Sequence, residues 1–238
     1  MIQLYMDLRQ YLQQNHNKLT WAMKIKIIFD LTCAIHTIHH EVNLIHRDLH
    51  SGNVLFSQRS QRCCISDLGF CGPADKQLNS IYGNLPYIAP EVICGKQTTK
   101  ASDIYSLGML MWEISSGQPP FINYEHDYDL AMKIVNGKRP KIVPGTPLEY
   151  KILMEQCWDA DPSNRPNITT IMLEIEKLTK LYYQNDNEPI VFNQESITSC
   201  LSNSINSMSN NCTSKIYQFK NLPEPRNAME GKMIYNIC

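Results

Sequence analysis

The feature that most constrains this chain is the segment 103–114, which is apolar on nearly every side of a helix. Surface helices carry a polar face, so this composition predicts a helix that is buried all round. Such a helix must be surrounded by other elements, and it can serve as the centre of a helical lobe. With 238 residues, 43% of them hydrophobic, the chain can bury a core of that size.

Other segments have apolar residues spaced three and four apart, which is typical of helices. Helices are predicted at residues 4–14, 21–38, 127–135, 148–157 and 168–183. Thr20 is the expected N-cap of the second helix, and Lys24 is expected on that helix's surface. Residues 54–56 and 63–65 are apolar runs separated by a polar turn, which predicts a β-hairpin. The predicted fold class is therefore mainly α (α+β).

Charge and composition disfavour several classes of partner and location. The net charge is −1 and the 22 basic residues are scattered, so we expect neither nucleic acid nor a membrane as a partner. The longest mostly apolar run, 104–114, is far shorter than the ~20 residues that span a bilayer. Asp7 and Arg9 interrupt the region where a signal peptide would be apolar. Nine cysteines without a Cys-x-x-Cys pair indicate free thiols. The expected location is cytoplasmic.

Polar residues adjoin the apolar runs of the hairpin. Asp48 and Asn53 stand five residues apart just before the first predicted strand, and Asp67 follows the second. The hairpin would bring the loop at Asp48 and the turn at Asp67 together. Carboxylate and amide oxygens are the ligands of hard cations, so this convergence indicates metal and phosphate chemistry.

The order of these residues resembles a known family. The His-Arg-Asp of residues 46–48, with Asn53 five residues later and the Asp-x-Gly of residues 67–69, resembles the catalytic loop and magnesium-binding motif of protein kinases. The Ala-Pro-Glu of residues 89–91 resembles the end of a kinase activation segment. The Cys-Trp, Asp-Pro and Arg-Pro pairs within 157–166 resemble those of tyrosine kinases and tyrosine-kinase-like kinases.

The resemblance implies a kinase-like C-terminal helical lobe over residues 1–183. A kinase also needs a small lobe with a Gly-rich loop and a phosphate-binding lysine. None of the ten glycines forms Gly-x-Gly, and Lys24 lies too close to Asp48 to be that lysine. We therefore expect the N-terminal lobe to be absent. Residues 184–238 are rich in Asn and Ser and are expected to be a disordered tail, although Leu-Pro-Glu-Pro at 222–225 could be a short docking segment.

The resemblance also assigns roles at the site, with ATP and Mg²⁺ as cofactors. Asp48 would orient the hydroxyl of a protein substrate, while Asn53 and Asp67 would hold magnesium. His50 stands where serine/threonine kinases usually have a lysine that contacts the phosphate. A mostly neutral imidazole would stabilise the transferring phosphate less well.

The residues after the catalytic loop have a less specific assignment. Val54, Leu55 and Phe56 could form the apolar floor of an adenine pocket, but residues of this type on a short strand are more often core.

Regulatory and structural residues follow from the same resemblance. Arg47 would receive a phosphate on Ser80 or Tyr82, although an unmodified solvated loop is an equal alternative. His46 and Gly69 belong to the two motifs.

Two contacts are implied inside the lobe. Asp103 would hold the backbone of the catalytic loop by hydrogen bonds. Glu91 would pair with Arg165.

Two functions remain open on these grounds. The first is a tyrosine-kinase-like protein kinase that transfers the γ-phosphate of ATP to Ser/Thr, or Tyr, of protein substrates in signalling, and that is inactive as this truncated chain. The second is a one-lobed pseudokinase, a protein-interaction module that engages another kinase chain or a substrate without turning over ATP.

Overall fold

The computed structural model describes residues 5–72, 81–183 and 214–228. The α-helices of this part of the chain are α1 (Leu8–Asn15), α2 (Trp21–His36), α3 (Pro90–Ile93), α4 (Lys100–Ser116), α5 (Tyr128–Val135), α6 (Leu148–Cys157) and α7 (Ile168–Tyr183). The strands are β1 (Tyr5–Asp7), β2 (Val54–Ser57), β3 (Arg62–Ile65), β4 (Ile81–Gly83) and β5 (Lys215–Tyr217). The fold is mainly helical, as predicted, and has two small sheets where the sequence predicted a single hairpin. Within the described ranges, no helix is both long and apolar enough to cross a membrane.

Helix α4 is the central element. Between residues 102 and 115 every residue is buried except Trp112, which is partly exposed, so the predicted all-round burial is confirmed. Gly108 allows α6 to pack closely against α4, because a β-carbon at this position would lie 2.9 Å from Cβ of Cys157. The predicted helix at the centre of the lobe thus sets the positions of its neighbours.

Helix α2 packs along α7 and delivers the chain to the loop that contains Asp48. It begins where predicted, because the Thr20 hydroxyl accepts a hydrogen bond from the Met23 amide at 3.3 Å. Its buried face includes Ile28 and Leu31, which lie in the same core as Ile175 of α7.

The prediction that Lys24 lies on the surface is wrong. Its side chain is buried, with Nζ 3.2 Å from the Ser115 carbonyl oxygen and 2.9 Å from Nε2 of His16. The last carbonyls of a helix have no partner within that helix, so a lysine from α2 is well placed to satisfy one at the end of α4. Burial lowers the pKa of Lys24.

The first sheet has the order β1-β2-β3 with antiparallel pairing, and the predicted hairpin of β2 and β3 is confirmed. The predicted helix at 4–14 is wrong in its first residues. Tyr5–Asp7 forms a strand, in which Asp7 lies opposite Leu55. Asp7 then caps α1, since its carboxylate accepts from the Gln10 amide at 2.8 Å. The backbone partners supplied by β2 therefore override the leucine spacing at this end.

The second sheet joins β4 to β5 and so ties residues 214–228 to the helical lobe. Tyr217 is buried, and the Arg226 amide donates to the Val135 carbonyl at 3.0 Å. These residues were expected to belong to a disordered tail, whereas the structure packs them on the lobe. The rest of the predicted tail, 184–213 and 229–238, lies outside the described residues. The domain boundary at residue 183 stays a prediction.

A buried ion pair between Glu91 and Arg165 joins α3 to the loop before α7. The guanidinium donates to both carboxylate oxygens, at 2.7 and 2.6 Å. It also donates to the carbonyls of Ala101 and Asp159, at 2.8 and 2.9 Å. Both charged side chains are nearly inaccessible to solvent. Each partner therefore compensates a charge that would otherwise be costly to bury.

We expect Glu91→Ala and Arg165→Ala each to lower the free energy of unfolding by about 3–5 kcal/mol, because either change leaves one buried charge unpaired. Denaturant unfolding of the two variants and the parent chain measures this. The control is Lys177→Ala, which removes an exposed pair with Glu174 and should cost about 0.5 kcal/mol or less. Unfolding midpoints equal to that of the parent would contradict the assignment.

Candidate active site

The loop before β2 is held in place by hydrogen bonds to the first turn of α4. The buried Asp103 carboxylate accepts hydrogen bonds from the His46 amide at 2.8 Å and from the Arg47 amide at 3.0 Å. Nε2 of His39 lies 2.8 Å from the same carboxylate. Arg47 has a φ of 72°, which is uncommon for a residue with a side chain. The hydrogen bonds to Asp103 therefore stabilise a loop conformation that the backbone alone disfavours.

His46 connects this loop to the residues before Asp67. Its ring is fully buried. Nδ1 faces the Asp48 amide at 3.4 Å, and Nε2 lies 3.1 Å from the Ser66 carbonyl oxygen. Because an amide can only donate, Nδ1 is the acceptor and Nε2 carries the proton. The imidazole therefore links the two segments that carry the predicted site.

The structure brings Asp48, Asn53 and the residue before Asp67 together. The side-chain nitrogen Nδ2 of Asn53 donates to the Asp48 backbone carbonyl at 2.9 Å and lies 3.4 Å from the Asp48 carboxylate. The backbone carbonyl of Asn53 accepts hydrogen bonds from the backbone amide and the hydroxyl of Ser66, at 2.8 and 3.0 Å. The hairpin β2–β3 thus places Asp67 beside the loop that carries Asp48 and Asn53.

Asp67 lies at a sharp turn with φ 57° and ψ 60° and exposes its carboxylate. Gly69 follows in the next turn, where a β-carbon would lie 3.5 Å from the Asp67 carboxylate. An exposed Asp67 carboxylate and the side-chain oxygen of Asn53 are the kind of donor that fits Mg²⁺, which takes few protein ligands and completes its shell with phosphates and water. Among the described residues, no group of three or more His, Cys, Asp or Glu side chains could hold a metal ion.

The Asp48 carboxylate is almost inaccessible to solvent and accepts a hydrogen bond from the Ser214 hydroxyl at 2.9 Å. Nε2 of His50 lies 3.6 Å from the same carboxylate oxygen. Burial would raise the pKa of Asp48, but the neighbouring His50 ring, aided by the Ser214 hydroxyl, lowers it. Asp48 is therefore ionised at neutral pH and can accept a hydrogen bond from a hydroxyl group.

His50 is buried beside Asp48. Its Nδ1 accepts from the Gly52 amide at 3.1 Å, so Nε2 carries the proton and donates to the Ser214 hydroxyl oxygen at 3.0 Å. The Ser214 hydroxyl in turn donates to Asp48. A hydroxyl at this position is thus held from both sides, as an acceptor from His50 and a donor to Asp48.

The structure separates the three residues assigned to the adenine pocket. Val54 and Phe56 are buried in the core, and the Phe56 ring stacks on Tyr11 at 3.7 Å between centroids. Leu55 points to the opposite side of β2 and is partly exposed. Of the three, only Leu55 has side-chain surface available to a ligand.

Arg47 lies near the segment that carries Tyr82. Its guanidinium is 3.5 Å from the Phe70 carbonyl, and the Phe70 ring stacks on Tyr82 with centroids 4.0 Å apart. Both Arg47 and Tyr82 line a cleft of about 320 Å³ that also contains Lys96. Ser80, the other predicted phosphate acceptor, lies outside the described residues.

The sequence analysis missed a buried network at the far end of α4. The Glu113 carboxylate accepts from the Tyr87 hydroxyl at 2.6 Å and from the Ser51 hydroxyl at 2.8 Å. Arg9 donates to the same Ser51 hydroxyl at 3.1 Å. This network anchors the residues between Asp48 and Asn53. The signal was present, because a glutamate inside a helix that is apolar on every side must have buried partners.

Comparison with known proteins identifies the family. A family model described as protein tyrosine and serine/threonine kinase matches residues 2–175. The chain belongs to the protein kinase family. The mixture of helices with small sheets is consistent with a kinase-like fold.

Individual kinases are similar to the chain at about 30% identity. It is 30% identical over 201 residues to the dual specificity protein kinase zakA of Dictyostelium discoideum, covering 77% of this chain and 26% of that protein. It is 32% identical over 182 residues to the serine/threonine-protein kinase VIK of Arabidopsis thaliana, covering 72% and 41%. It is 36% identical over 170 residues to the dual serine/threonine and tyrosine protein kinase of Canis lupus familiaris, covering 68% and 18%. The match therefore spans less than half of each of these kinases.

Glu113→Gln tests how the buried Glu113 carboxylate changes the free energy of unfolding. Burial raises the pKa of Glu113 although Tyr87 and Ser51 donate to it. The folded state then binds the proton more tightly than the unfolded state. As the pH rises from about 4.3, the usual value for Glu, through the raised folded-state value, the parent should lose unfolding free energy relative to the variant.

Urea unfolding of both proteins across this pH range measures the difference. The matched control is Glu149→Gln, which changes an exposed glutamate on α6 and should not reproduce the slope. Parallel stability curves for the parent and Glu113→Gln would contradict the prediction.

Proposed function

We propose that this lobe contributes the catalytic loop and the magnesium ligands of a protein kinase that transfers the γ-phosphate of ATP to hydroxyl groups of protein substrates. The observation that carries the proposal is the buried Asp48 carboxylate, which receives a serine hydroxyl at 2.9 Å. Asn53 lies in the same loop, and the segment that contains Asp67 contacts this loop. A carboxylate of this kind can orient an acceptor hydroxyl and take its proton in phosphoryl transfer.

The residues around Asp48 have complementary roles in this proposal. Asn53 and Asp67 hold Mg²⁺, which when bound neutralises the charge of the phosphates. Asp103 and His46 fix the loop, so Asp48 needs no rearrangement to meet a hydroxyl. His50 donates to the acceptor oxygen from the other side and occupies the place where related kinases have a lysine. Transfer is expected to be slower than with a lysine, because the His50 ring, whose Nδ1 accepts from the Gly52 amide, lacks the full positive charge of an ammonium group.

We propose serine or threonine as the acceptor. The similar kinases of Arabidopsis and Dictyostelium are described as serine/threonine and dual specificity kinases. The Arg-Pro element that ends with Arg165 and Pro166 supports membership of the tyrosine-kinase-like group. Signalling through protein substrates, in the cytoplasm, is the corresponding role.

A one-lobed pseudokinase that acts as an interaction module is the second candidate. It is favoured by the position of Lys24, whose ammonium group contacts the Ser115 carbonyl and His16 and so is not available to bind a phosphate. Such a module would bind another kinase chain or a substrate through its helical surface. The two candidates differ in what happens when the missing phosphate-binding elements are supplied.

The chain alone is expected to bind Mg-ATP with millimolar affinity or weaker, about −4 kcal/mol or less favourable, because nothing in its sequence covers the triphosphate. Isothermal calorimetry measures this. Fusing the amino-terminal lobe of a related kinase ahead of Met1 should restore both binding and transfer to a serine peptide.

In that fusion, Asp48→Asn should abolish transfer and largely spare ATP binding, because the carboxylate acts in the chemical step. The matched control is Asp129→Asn, the same change at an exposed position on α5. A folded fusion that binds ATP yet transfers no phosphate would favour the pseudokinase. Micromolar affinity of the unfused chain would contradict the need for a second lobe.

A further inference from the structure

Residues 214–228 reach the candidate active site through Ser214. The Ser214 hydroxyl oxygen lies 2.9 Å from the Asp48 carboxylate and 3.0 Å from Nε2 of His50. The position that the proposed function requires for an acceptor hydroxyl is therefore filled by a serine of the same chain.

Backbone pairing fixes this serine in place. Strand β5 pairs antiparallel with β4, with Lys215 opposite Gly83 and Tyr217 opposite Ile81. Gly83 has a φ of 139°, and a β-carbon there would approach the Asp48 carboxylate to 3.3 Å. Because Gly83 has no side chain, the paired strands can run directly past Asp48.

Further contacts hold the segment along the lobe. Tyr217 is buried, and the Phe219 ring lies edge-on to Tyr128 of α5 with centroids 6.2 Å apart. The Pro223 carbonyl accepts from Sγ of Cys94 at 3.2 Å, and Asn227 accepts from the Ala160 amide at 2.8 Å. These contacts lie on separate elements, so the whole segment is bound in one orientation.

The end of the segment also packs tightly. Arg226 donates to the Asn136 side chain at 2.7 Å. Gly137 has a φ of 91°, and a β-carbon there would come within 2.4 Å of the Ala228 amide nitrogen. The predicted docking segment Leu-Pro-Glu-Pro, residues 222–225, lies just before these anchors, with Glu224 paired to Lys96 at 2.6 Å.

We propose that residues 214–228 are a built-in acceptor peptide, and that Ser214 is a phosphorylation site modified in cis. The proposal deepens the proposed function and rests on it. The segment binds as an added strand at the β4 edge, which leaves the serine hydroxyl between Asp48 and His50.

The reaction at Ser214 uses the ATP that the proposed function supplies. The Ser214 oxygen forms a bond to the γ-phosphorus, the bond from that phosphorus to the bridging oxygen of the β-phosphate breaks, and ADP leaves. The hydroxyl proton passes to the Asp48 carboxylate and then to solvent. The product is phosphoserine at residue 214.

Phosphorylation then changes the fit of the segment. A phosphate adds about −1.5 to −2 charges at neutral pH, and Ser214 is in direct contact with the Asp48 carboxylate. Like charges at this separation in a buried site repel. The modified segment is therefore expected to leave the β4 edge and open the site to other substrates.

Hydrogen exchange of the full chain tests the docking without ATP. In the parent, the amides of β4 and β5 should be protected. Ser214→Glu should speed their exchange at least about tenfold, the factor that corresponds to ~1.4 kcal/mol. Ser214→Ala should keep most of the protection, because the strand pairing and the buried Tyr217 remain. The matched control is Ser60→Glu, the same charge in the exposed turn between β2 and β3.

Mass spectrometry of the fusion protein with Mg-ATP tests the acceptor assignment. Phosphate is expected on Ser214, at a rate per molecule that does not depend on protein concentration, as a reaction in cis requires. A serine peptide present in the same reaction reports whether the fusion transfers phosphate at all.

The outcomes separate the two proposals. Unprotected β5 amides in the parent would overturn the docked segment, whatever the activity. Transfer to the peptide with Ser214 unmodified, or a Ser214 rate that rises with protein concentration, would overturn the acceptor in cis and leave the proposed function standing. No transfer to the peptide would overturn the proposed function and the acceptor assignment with it, while the exchange result would still decide the docking.

Discussion

The site depends on the hydrogen bonds that the Asp103 carboxylate accepts. This carboxylate is buried at the first turn of α4, and a buried carboxylate is tolerated only when hydrogen bonds replace its lost hydration. Here those bonds come from the backbone of His46 and Arg47 and from the ring of His39. The requirement is mutual, because the loop at Arg47 adopts a backbone conformation that needs external support. A helix that is buried on nearly every side thus determines the geometry of the polar loop that carries Asp48.

Burial has different consequences at the two ends of α4. Asp103 meets backbone amides, whereas Glu113 meets the hydroxyls of Tyr87 and Ser51, and burial raises the pKa of both Glu113 and Tyr87. Hydroxyl groups can rotate and can both donate and accept, so this end can tolerate a protonated glutamate. The loop that carries Asp48 is therefore fixed firmly before this residue and more adaptably after it.

Much of the fold could be predicted because it follows from local patterns. The helix cap at Thr20, the hairpin of β2 and β3 and the all-round burial of α4 each follow from residues that are neighbours in sequence. Strand β1 and the burial of Lys24 could not be predicted, since both depend on partners distant in the chain. Asp48, Asn53 and Asp67 were predicted from their spacing, and their roles at the site stay predictions. The contact between Asp48 and Ser214 was out of reach, because a three-residue strand has no pattern of its own.

The pairing of β5 with β4 affects which positions of a bound segment require a particular side chain. Main-chain hydrogen bonds are the same for every residue type, and the side chain of Ile216 is 67% exposed. Tyr217, in contrast, is buried beside the lobe. Within residues 214–217 the lobe therefore requires a particular side chain at two positions, a hydroxyl at Ser214 and an aromatic ring at Tyr217. The two residues between them can vary in sequence. A segment of this kind would therefore be recognised by the spacing of its serine and its aromatic residue more than by its composition.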